Sequence, residues 1–225
     1  MTVIVAVRYD HGVIMAADSR VSGGYMDADG HDKTREFPTA NGIAVLGYAG
    51  TIAHVEAAVH TIEQSMNKAD SPYAAKTVCE KGIDAARELC EAPEVEFVLG
   101  VRCGRTVDLF SVVFDAGKGI GTRSLRYAVA GSGGYVAEYI LKRAWPPNHE
   151  LTREQAERLA QYTVDEVVWA KVRGCGGATW LRVLTDEADS PVDFPVVSRD
   201  PSLLADMTVH LGAARRSLHR AILGA

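Results

Sequence analysis

Three residues near the start of the chain, Thr2, Asp18 and Lys33, have side chains that could cooperate in an acyl-transfer reaction. Removal of Met1 would leave Thr2 with a hydroxyl nucleophile and a free α-amine on one residue. A hydroxyl attacks poorly until a base accepts its proton, and an N-terminal amine with an unperturbed pKa of about 7.7–8.0 can be that base. A neighbouring lysine would keep this amine uncharged by like-charge repulsion, and an acid would hold that lysine in place.

A β-hairpin is predicted to bring the acid back to the N-terminal threonine. Residues 3–9 and 13–18 have the Val-, Ile- and Ala-rich composition of two strands, and the three residues between them form the loop. Pairing across that loop places Asp18 within a residue or two of Ile4, beside the start of the first strand. Considered alone, an acid of this kind more often caps a turn and a lone lysine is more often solvated, so that alternative stays open.

The rest of the pattern predicts one domain over residues 1–225, in which hairpins join neighbouring strands and pairs of helices follow them. Such an order is typical of an α+β protein with antiparallel sheets covered by helices, and not of alternating βα units. Strands are predicted over 41–50, 94–103, 106–114, 126–131 and 179–185, and helices from 51, 71, 134 and 152, with a C-terminal helical extension at about 200–225.

Composition narrows the class of protein. Hydrophobic residues make up 47% of the 225 residues and charged residues 24%, as in ordinary globular proteins, and no run is apolar enough to cross a membrane. The formal net charge of −5 argues against nucleic acid as a partner. The four cysteines show no C-x-x-C pairing, so we expect reduced thiols in a cytoplasmic protein, without a zinc site.

Several stretches together resemble the β-type subunits of proteasomes, including their bacterial homologues, which are N-terminal nucleophile (Ntn) hydrolases. The stretches are "TVIVAVRYDHGVIMAADSRVSGG", "LGYAG" and "AGSGGYVAEYIL", and the resemblance extends to about Thr185. It implies a four-layer α/β/β/α sandwich with two antiparallel sheets and a threonine endopeptidase without metal or organic cofactor. It also implies peptide or unfolded protein as substrate and a homo-oligomeric ring or stacked rings of at least six subunits. An ATP-dependent unfoldase or activator remains an open partner.

The resemblance also implies roles for individual residues. Thr2 matches the catalytic threonine, and Asp18 and Lys33 match the acid and the lysine that accompany it. Gly50 falls where the family donates a backbone N–H to an oxyanion. Ser132, in "GSGG", falls where a serine hydroxyl supports the amine of the threonine.

Two further positions match the substrate pocket, and two depart from the family. Tyr48 falls at the floor of the pocket for the substrate side chain, and Val21 at its wall. Val172 and Cys175 stand where the family usually has an aspartate and a serine. This departure leaves two alternatives to a peptidase, a non-proteolytic Ntn amidohydrolase and a catalytically silent scaffold subunit.

Overall fold

The computed structural model of the chain describes residues 2–23, 26–145 and 150–186. The predicted C-terminal helix at about 200–225 lies outside these residues, so this helix and the single domain over 1–225 remain predictions. The strands are β1 (Ile4–Tyr9), β2 (Gly12–Asp18), β3 (Val21–Gly23), β4 (Met26–Ala28), β5 (Thr34–Thr39), β6 (Gly42–Gly50), β7 (Val95–Cys103), β8 (Thr106–Asp115), β9 (Lys118–Arg123), β10 (Tyr127–Ala130) and β11 (Thr179–Thr185). The helices are α1 (Ile52–Glu63), α2 (Pro72–Ala86), α3 (Gly134–Ala144) and α4 (Arg153–Trp169).

The strands form two large antiparallel sheets and one small hairpin. The four-stranded sheet has the order β10-β1-β2-β11, and the five-stranded sheet has the order β5-β6-β7-β8-β9. Strands β3 and β4 pair only with each other among the described residues. Every pairing is antiparallel, which confirms the predicted α+β class.

Each large sheet is buried on both faces, by the other sheet on its inner face and by helices on its outer face. Between the sheets, Ile4 and Met15 of the four-stranded sheet pack with Val98 and Leu109 of the five-stranded sheet. Helices α1 and α2 cover the outer face of the five-stranded sheet, and α3 and α4 cover that of the four-stranded sheet. Burial of apolar surface on both faces of each sheet therefore stabilises an α/β/β/α sandwich, as predicted.

The N-terminal hairpin is tighter than predicted by one residue. Tyr9 pairs directly with Gly12, so the turn has two residues instead of three, and Ile4 pairs with Ala17. Asp18 consequently lies opposite Val3, whose carbonyl accepts the Asp18 N–H. A glycine is needed at Gly12 because a Cβ there would lie 1.9 Å from a backbone oxygen of the adjacent β11.

Both edge strands of the five-stranded sheet, β5 and β9, were missed by the sequence pattern. Pro38 lies inside β5, and proline is compatible with a strand mainly at a sheet edge, where its missing N–H is not needed. Gly119 lowers the β propensity of β9, yet a Cβ there would lie 2.4 Å from the backbone oxygen of Glu80 in α2. Glycine is therefore needed at position 119 because α2 approaches closely, and this glycine made β9 hard to predict from the sequence.

The helix signals in the sequence are largely confirmed. The Ser71 hydroxyl accepts the Ala74 N–H at the start of α2, and Thr152 and Gln155 form both bonds of the capping box of α4. One prediction is wrong: helical spacing places Leu89 on the same side of α2 as the buried Cys79 and Ile83, but Leu89 follows the end of the helix and is 59% exposed. Within the described ranges, none of the helices combines the length and the apolar character needed to cross a bilayer.

Candidate active site

Thr2 lies immediately before β1, at the edge where the two large sheets meet, and only 8% of the residue is exposed. Its backbone nitrogen, which forms the peptide bond to Met1 in this structure, donates to Ser132 Oγ at 3.3 Å. Its carbonyl oxygen accepts the Gly133 N–H at 3.1 Å. The loop that follows β10 therefore holds the threonine backbone on both sides, and Thr2 contributes to the lining of two cavities.

Asp18 ends β2 and is fully buried. Its Oδ1 accepts the Val3 N–H at 2.9 Å and the Lys33 ammonium at 2.7 Å. Its Oδ2 accepts the Gly176 N–H at 2.9 Å. A buried carboxylate needs such partners to offset the loss of water, so Asp18 connects β1, the segment before β5 and the loop before β11.

Lys33 directly precedes β5 and is 3% exposed. Burial lowers the pKa of its ammonium group, and the adjacent Asp18 carboxylate opposes that shift. Lys33 lines the same cavity as Thr2, so the predicted trio of Thr2, Asp18 and Lys33 is brought together. Arg35, two residues further on, instead pairs with Glu63 of α1 at 2.6 Å.

The first cavity has a volume of about 540 Å³ and opens beside Thr2. Gly50, Tyr48 and Val21 all line it, as the resemblance implied. The Tyr48 hydroxyl donates to the Asp32 carbonyl oxygen at 2.8 Å, and burial raises the pKa of this phenol. Gly50 has a φ of +138°, and a Cβ there would lie 2.0 Å from a backbone oxygen of Glu94, so only glycine fits at this point of β6.

One wall of this cavity comes from α1 and was not predicted as part of the site. The wall consists of residues spaced three or four apart on a single helix face, Ile52, Val55, Glu56, Val59, His60 and Glu63. Ile52 shares the helical spacing of Val55 and Val59, which predicts burial, yet it is 54% exposed where it lines this cavity. The sequence did contain a signal for this wall, because acids, a histidine and aliphatic side chains recur at the same helical spacing.

The second cavity has a volume of about 720 Å³ and is also lined by Thr2, Gly50 and Ser132. Two carboxylates that the sequence analysis did not single out, Glu94 and Glu96, belong to its lining. Their i, i+2 spacing in "EVEF" puts both side chains on one face at the start of β7. This spacing could have identified them as a pair from the sequence.

Part of the chain matches a known protein family. Residues 2–90 match the family model described as Proteasome subunit. The resemblance to proteasome subunits is thereby confirmed over the part of the chain that carries Thr2, Asp18, Lys33 and Gly50. Among curated proteins, none matches the chain in sequence.

Several solved structures resemble this chain in fold. Anbu from Yersinia bercovieri, described as an ancestral beta-subunit, has a TM-score of 0.78 at 19% identity, with 96% of each chain covered. A Gly-1 mutant of Anbu from Hyphomicrobium sp. strain MC1 has a TM-score of 0.77 at 20% identity, covering 97% of this chain and 96% of that one. The helical assembly of the Anbu complex from Pseudomonas aeruginosa gives 0.75 at 17%, with 96% of each chain covered. At identities of 17–20%, this similarity shows that the fold is shared.

Cys175, one of the two residues that depart from the proteasome pattern, lies against the loop over residues 131–133 that holds Thr2. Cys175 is 5% exposed and contacts Ser132 through a side-chain hydrogen bond, while burial raises the pKa of its thiol. Gly133 also packs on it, since a Cβ there would lie 3.2 Å from Cys175 Sγ. The thiol therefore occupies a buried contact beside Ser132. Val172 forms backbone hydrogen bonds with Val167 and Cys175 in the same loop.

Proposed function

We propose that the chain is a threonine peptidase of the proteasome type, which hydrolyses peptide bonds in peptides or unfolded proteins in the cytoplasm. The observation that carries the proposal is the position of Thr2 between two cavities, with Lys33 lining one of them and bonded to the buried Asp18 at 2.7 Å. This arrangement supplies a nucleophile, a fixed positive charge and room for substrate on both sides of the nucleophile.

The reaction begins with loss of Met1, which turns the Thr2 nitrogen into a free amine. The Thr2 hydroxyl oxygen attacks the peptide carbonyl carbon, and its proton passes to the amine, directly or through water. The Lys33 ammonium disfavours a second positive charge nearby and so keeps the amine neutral before the attack. Ser132, whose Oγ lies 3.3 Å from the Thr2 nitrogen, orients the amine.

The negative charge that develops on the carbonyl oxygen is stabilised by the Gly50 N–H. Loss of one such donor costs about 2.7–4 kcal/mol of transition-state stabilisation in other enzymes. The tetrahedral intermediate collapses when the scissile C–N bond breaks and the leaving amine takes the proton from the Thr2 amine. Water then attacks the Thr2 ester while the Thr2 amine accepts a proton from it, and the amine returns that proton to the Thr2 oxygen as the acid product leaves. All groups used here belong to the chain or to water.

Intact mass spectrometry with a β-lactone or epoxyketone probe tests the proposal. We expect the wild-type chain to start at Thr2 and to gain one probe, and Thr2→Ala to remain unmodified and inactive while it folds and assembles normally. Thr122→Ala, which removes an exposed threonine in β9, is the matched control and should react like the wild type.

The same experiment separates the alternatives. Active protein that retains Met1 would contradict the role of the amine as the base. A chain that reacts with the probe and cleaves small amides, but not peptides, would be an Ntn amidohydrolase. A chain that never reacts would be a silent scaffold subunit, the alternative that Val172 and Cys175 favour.

We also propose that the chain assembles into a homo-oligomer. Support comes from the helical assembly described for the Anbu complex of Pseudomonas aeruginosa, which is similar in fold, and from exposed aromatic residues on α3 and α4. Tyr135 is 72%, Tyr139 59% and Trp169 65% exposed, and apolar exposure of this kind marks interfaces. Head-to-tail contacts close into a ring of six or more subunits, or continue as an open helix, depending on the rotation per subunit.

Light scattering on the full-length protein tests the assembly. A monodisperse monomer would contradict it. We also expect the predicted C-terminal helix at about 200–225 to lie at a subunit contact, and an intact assembly of a chain truncated before Pro201 would exclude only that contribution. An unfoldase or activator remains a partner to be sought once an assembly is in hand.

A further inference from the structure

Glu96 forms a contact between the two large sheets beside the nucleophile. It lies in β7 of the five-stranded sheet, and its Oε2 accepts the Gly131 N–H at 2.7 Å. Gly131 directly follows β10 of the four-stranded sheet. The carboxylate is exposed and lines the second cavity together with Thr2. A short hydrogen bond from a backbone N–H to a carboxylate is stronger than its neutral counterpart, because the acceptor is charged.

The loop that Glu96 holds is the loop that holds Thr2. Gly131 has a φ of +85°, and a Cβ there would lie 2.3 Å from the Thr2 carbonyl oxygen. The next two residues bond the threonine backbone, since Ser132 Oγ accepts from the Thr2 nitrogen at 3.3 Å and the Gly133 N–H donates to the Thr2 oxygen at 3.1 Å. A shift of Gly131 would therefore move both bonds to Thr2.

Glu96 is also in register with the strand that carries the predicted oxyanion donor. In the β6–β7 pairing, Glu96 lies opposite Ala49, and Val95 lies opposite Gly50. The backbone of β7 thus pairs with the donor strand while the Glu96 side chain holds the nucleophile loop. This one strand therefore contacts both the loop that holds Thr2 and the strand that carries Gly50.

We infer that Glu96 is a positioning residue, which sets the distance between the Thr2 nucleophile and the Gly50 N–H by fixing the loop over residues 131–133. The inference rests on the proposed threonine peptidase activity. It does not require contact between Glu96 and the substrate. What matters is an acceptor oxygen at this place, so glutamine can partly replace glutamate and alanine cannot.

The test compares Glu96→Ala, Glu96→Gln and a control, Glu91→Ala, which removes an exposed carboxylate that precedes the same strand. We expect Glu96→Ala to lower kcat about 10–100-fold, because small misplacement of reacting groups has effects of this size. We expect KM for a peptide substrate to change by less than about threefold, since the lining of the first cavity, which includes Tyr48 and Val21, is untouched. Glu96→Gln should keep kcat within about fivefold of the wild type, since its amide oxygen can still accept. Glu91→Ala should match the wild type.

Hydrogen exchange of the segment over residues 128–133 provides a readout that does not depend on activity. Glu96→Ala should reduce amide protection there, and Glu96→Gln and Glu91→Ala should not. Wild-type kcat in Glu96→Ala, or an equal loss in Glu96→Gln, would overturn the inference.

If the wild type itself proves inert, the proposed function fails, and unchanged protection in Glu96→Ala would show separately that Glu96 does not hold the loop. If Glu96→Ala does not fold, the kcat and protection of Glu96→Gln decide: values near the wild type uphold the inference, and a loss in both overturns it.

Discussion

The two large sheets contribute differently to the edge at which they meet. The four-stranded sheet provides Thr2 and Asp18, both almost fully buried and bonded to backbone groups of the same sheet and its loops. The five-stranded sheet provides Tyr48 and Gly50, which face a cavity, and carries Lys33 at the start of its edge strand. One sheet thus holds the nucleophile rigidly, and the other forms the space around it.

This difference between the two sheets predicts which property a substitution in each sheet should change. Changes in the four-stranded sheet should affect folding and every substrate alike, whereas changes in the five-stranded sheet should affect which substrate is preferred. The pair of Asp18 and Lys33 belongs to both, because it joins the sheets through buried charges at 2.7 Å. It differs in this from the pair of Arg20 and Asp29, whose side chains are 35% and 54% exposed.

Asp18→Ala should give the largest effect. It leaves the Lys33 ammonium buried without its carboxylate and removes the acceptor of the Val3 and Gly176 N–H groups. We expect a loss of about 3–5 kcal/mol in the free energy of unfolding, the cost of breaking a buried ion pair from one side. Urea denaturation of the variant and the wild type measures the difference.

The control is Asp29→Ala, which removes the acid of the exposed pair. We expect its free energy of unfolding to stay close to that of the wild type, because exposed ion pairs are screened by solvent and contribute little. Equal losses in the two variants would break the comparison, because the contact between the sheets would then be worth no more than a surface contact.

Lys33→Ala should abolish most of the activity and change its pH dependence. The amine of Thr2 must be neutral to accept a proton, so the rate rises with pH through the pKa of the amine. Removal of the Lys33 charge raises that pKa, and the acid limb of the kcat/KM profile should move to higher pH.

The pH–rate profiles of Lys33→Ala and of Lys68→Ala, an exposed lysine at the end of a short helical turn, measure this effect. Lys68→Ala should reproduce the wild-type profile. A near-wild-type rate and profile in Lys33→Ala would remove Lys33 from the mechanism. Arg35, which lines the same cavity, would then be the next residue to test.

Sequence reasoning could predict the contribution of the four-stranded sheet because that contribution is local. A two-strand hairpin returns Asp18 to the first strand, and an error of one residue in the register does not separate the groups. The contributions of the five-stranded sheet depend on distant pairings. Pro38 concealed the edge strand after Lys33, and nothing local indicates that Glu96 meets Gly131, 35 residues away. The assignment of Gly50 and Tyr48 came from family resemblance, whereas Lys33 was also proposed from the need for a positive charge held by an acid near Thr2.

Tyr48→Phe should have the smallest effect and tests the five-stranded sheet as the source of selectivity. The substitution keeps the ring and removes the hydroxyl that donates to the Asp32 carbonyl at 2.8 Å, a bond worth about 0.5–1.5 kcal/mol. With the hydroxyl gone, the cavity floor is more apolar, so the ratio of kcat/KM for a leucine peptide to that for a glutamine peptide should rise about 2–10-fold.

The control is Tyr135→Phe on α3, where the residue is 72% exposed and belongs to the helix layer on the four-stranded sheet. We expect its substrate ratio to equal that of the wild type. A ratio that is unchanged in Tyr48→Phe, combined with a uniform fall in kcat for both peptides, would contradict the division of roles. Tyr48 would then support the nucleophile, and selectivity would have to come from the α1 wall of the same cavity, where Glu56 and His60 face the substrate space.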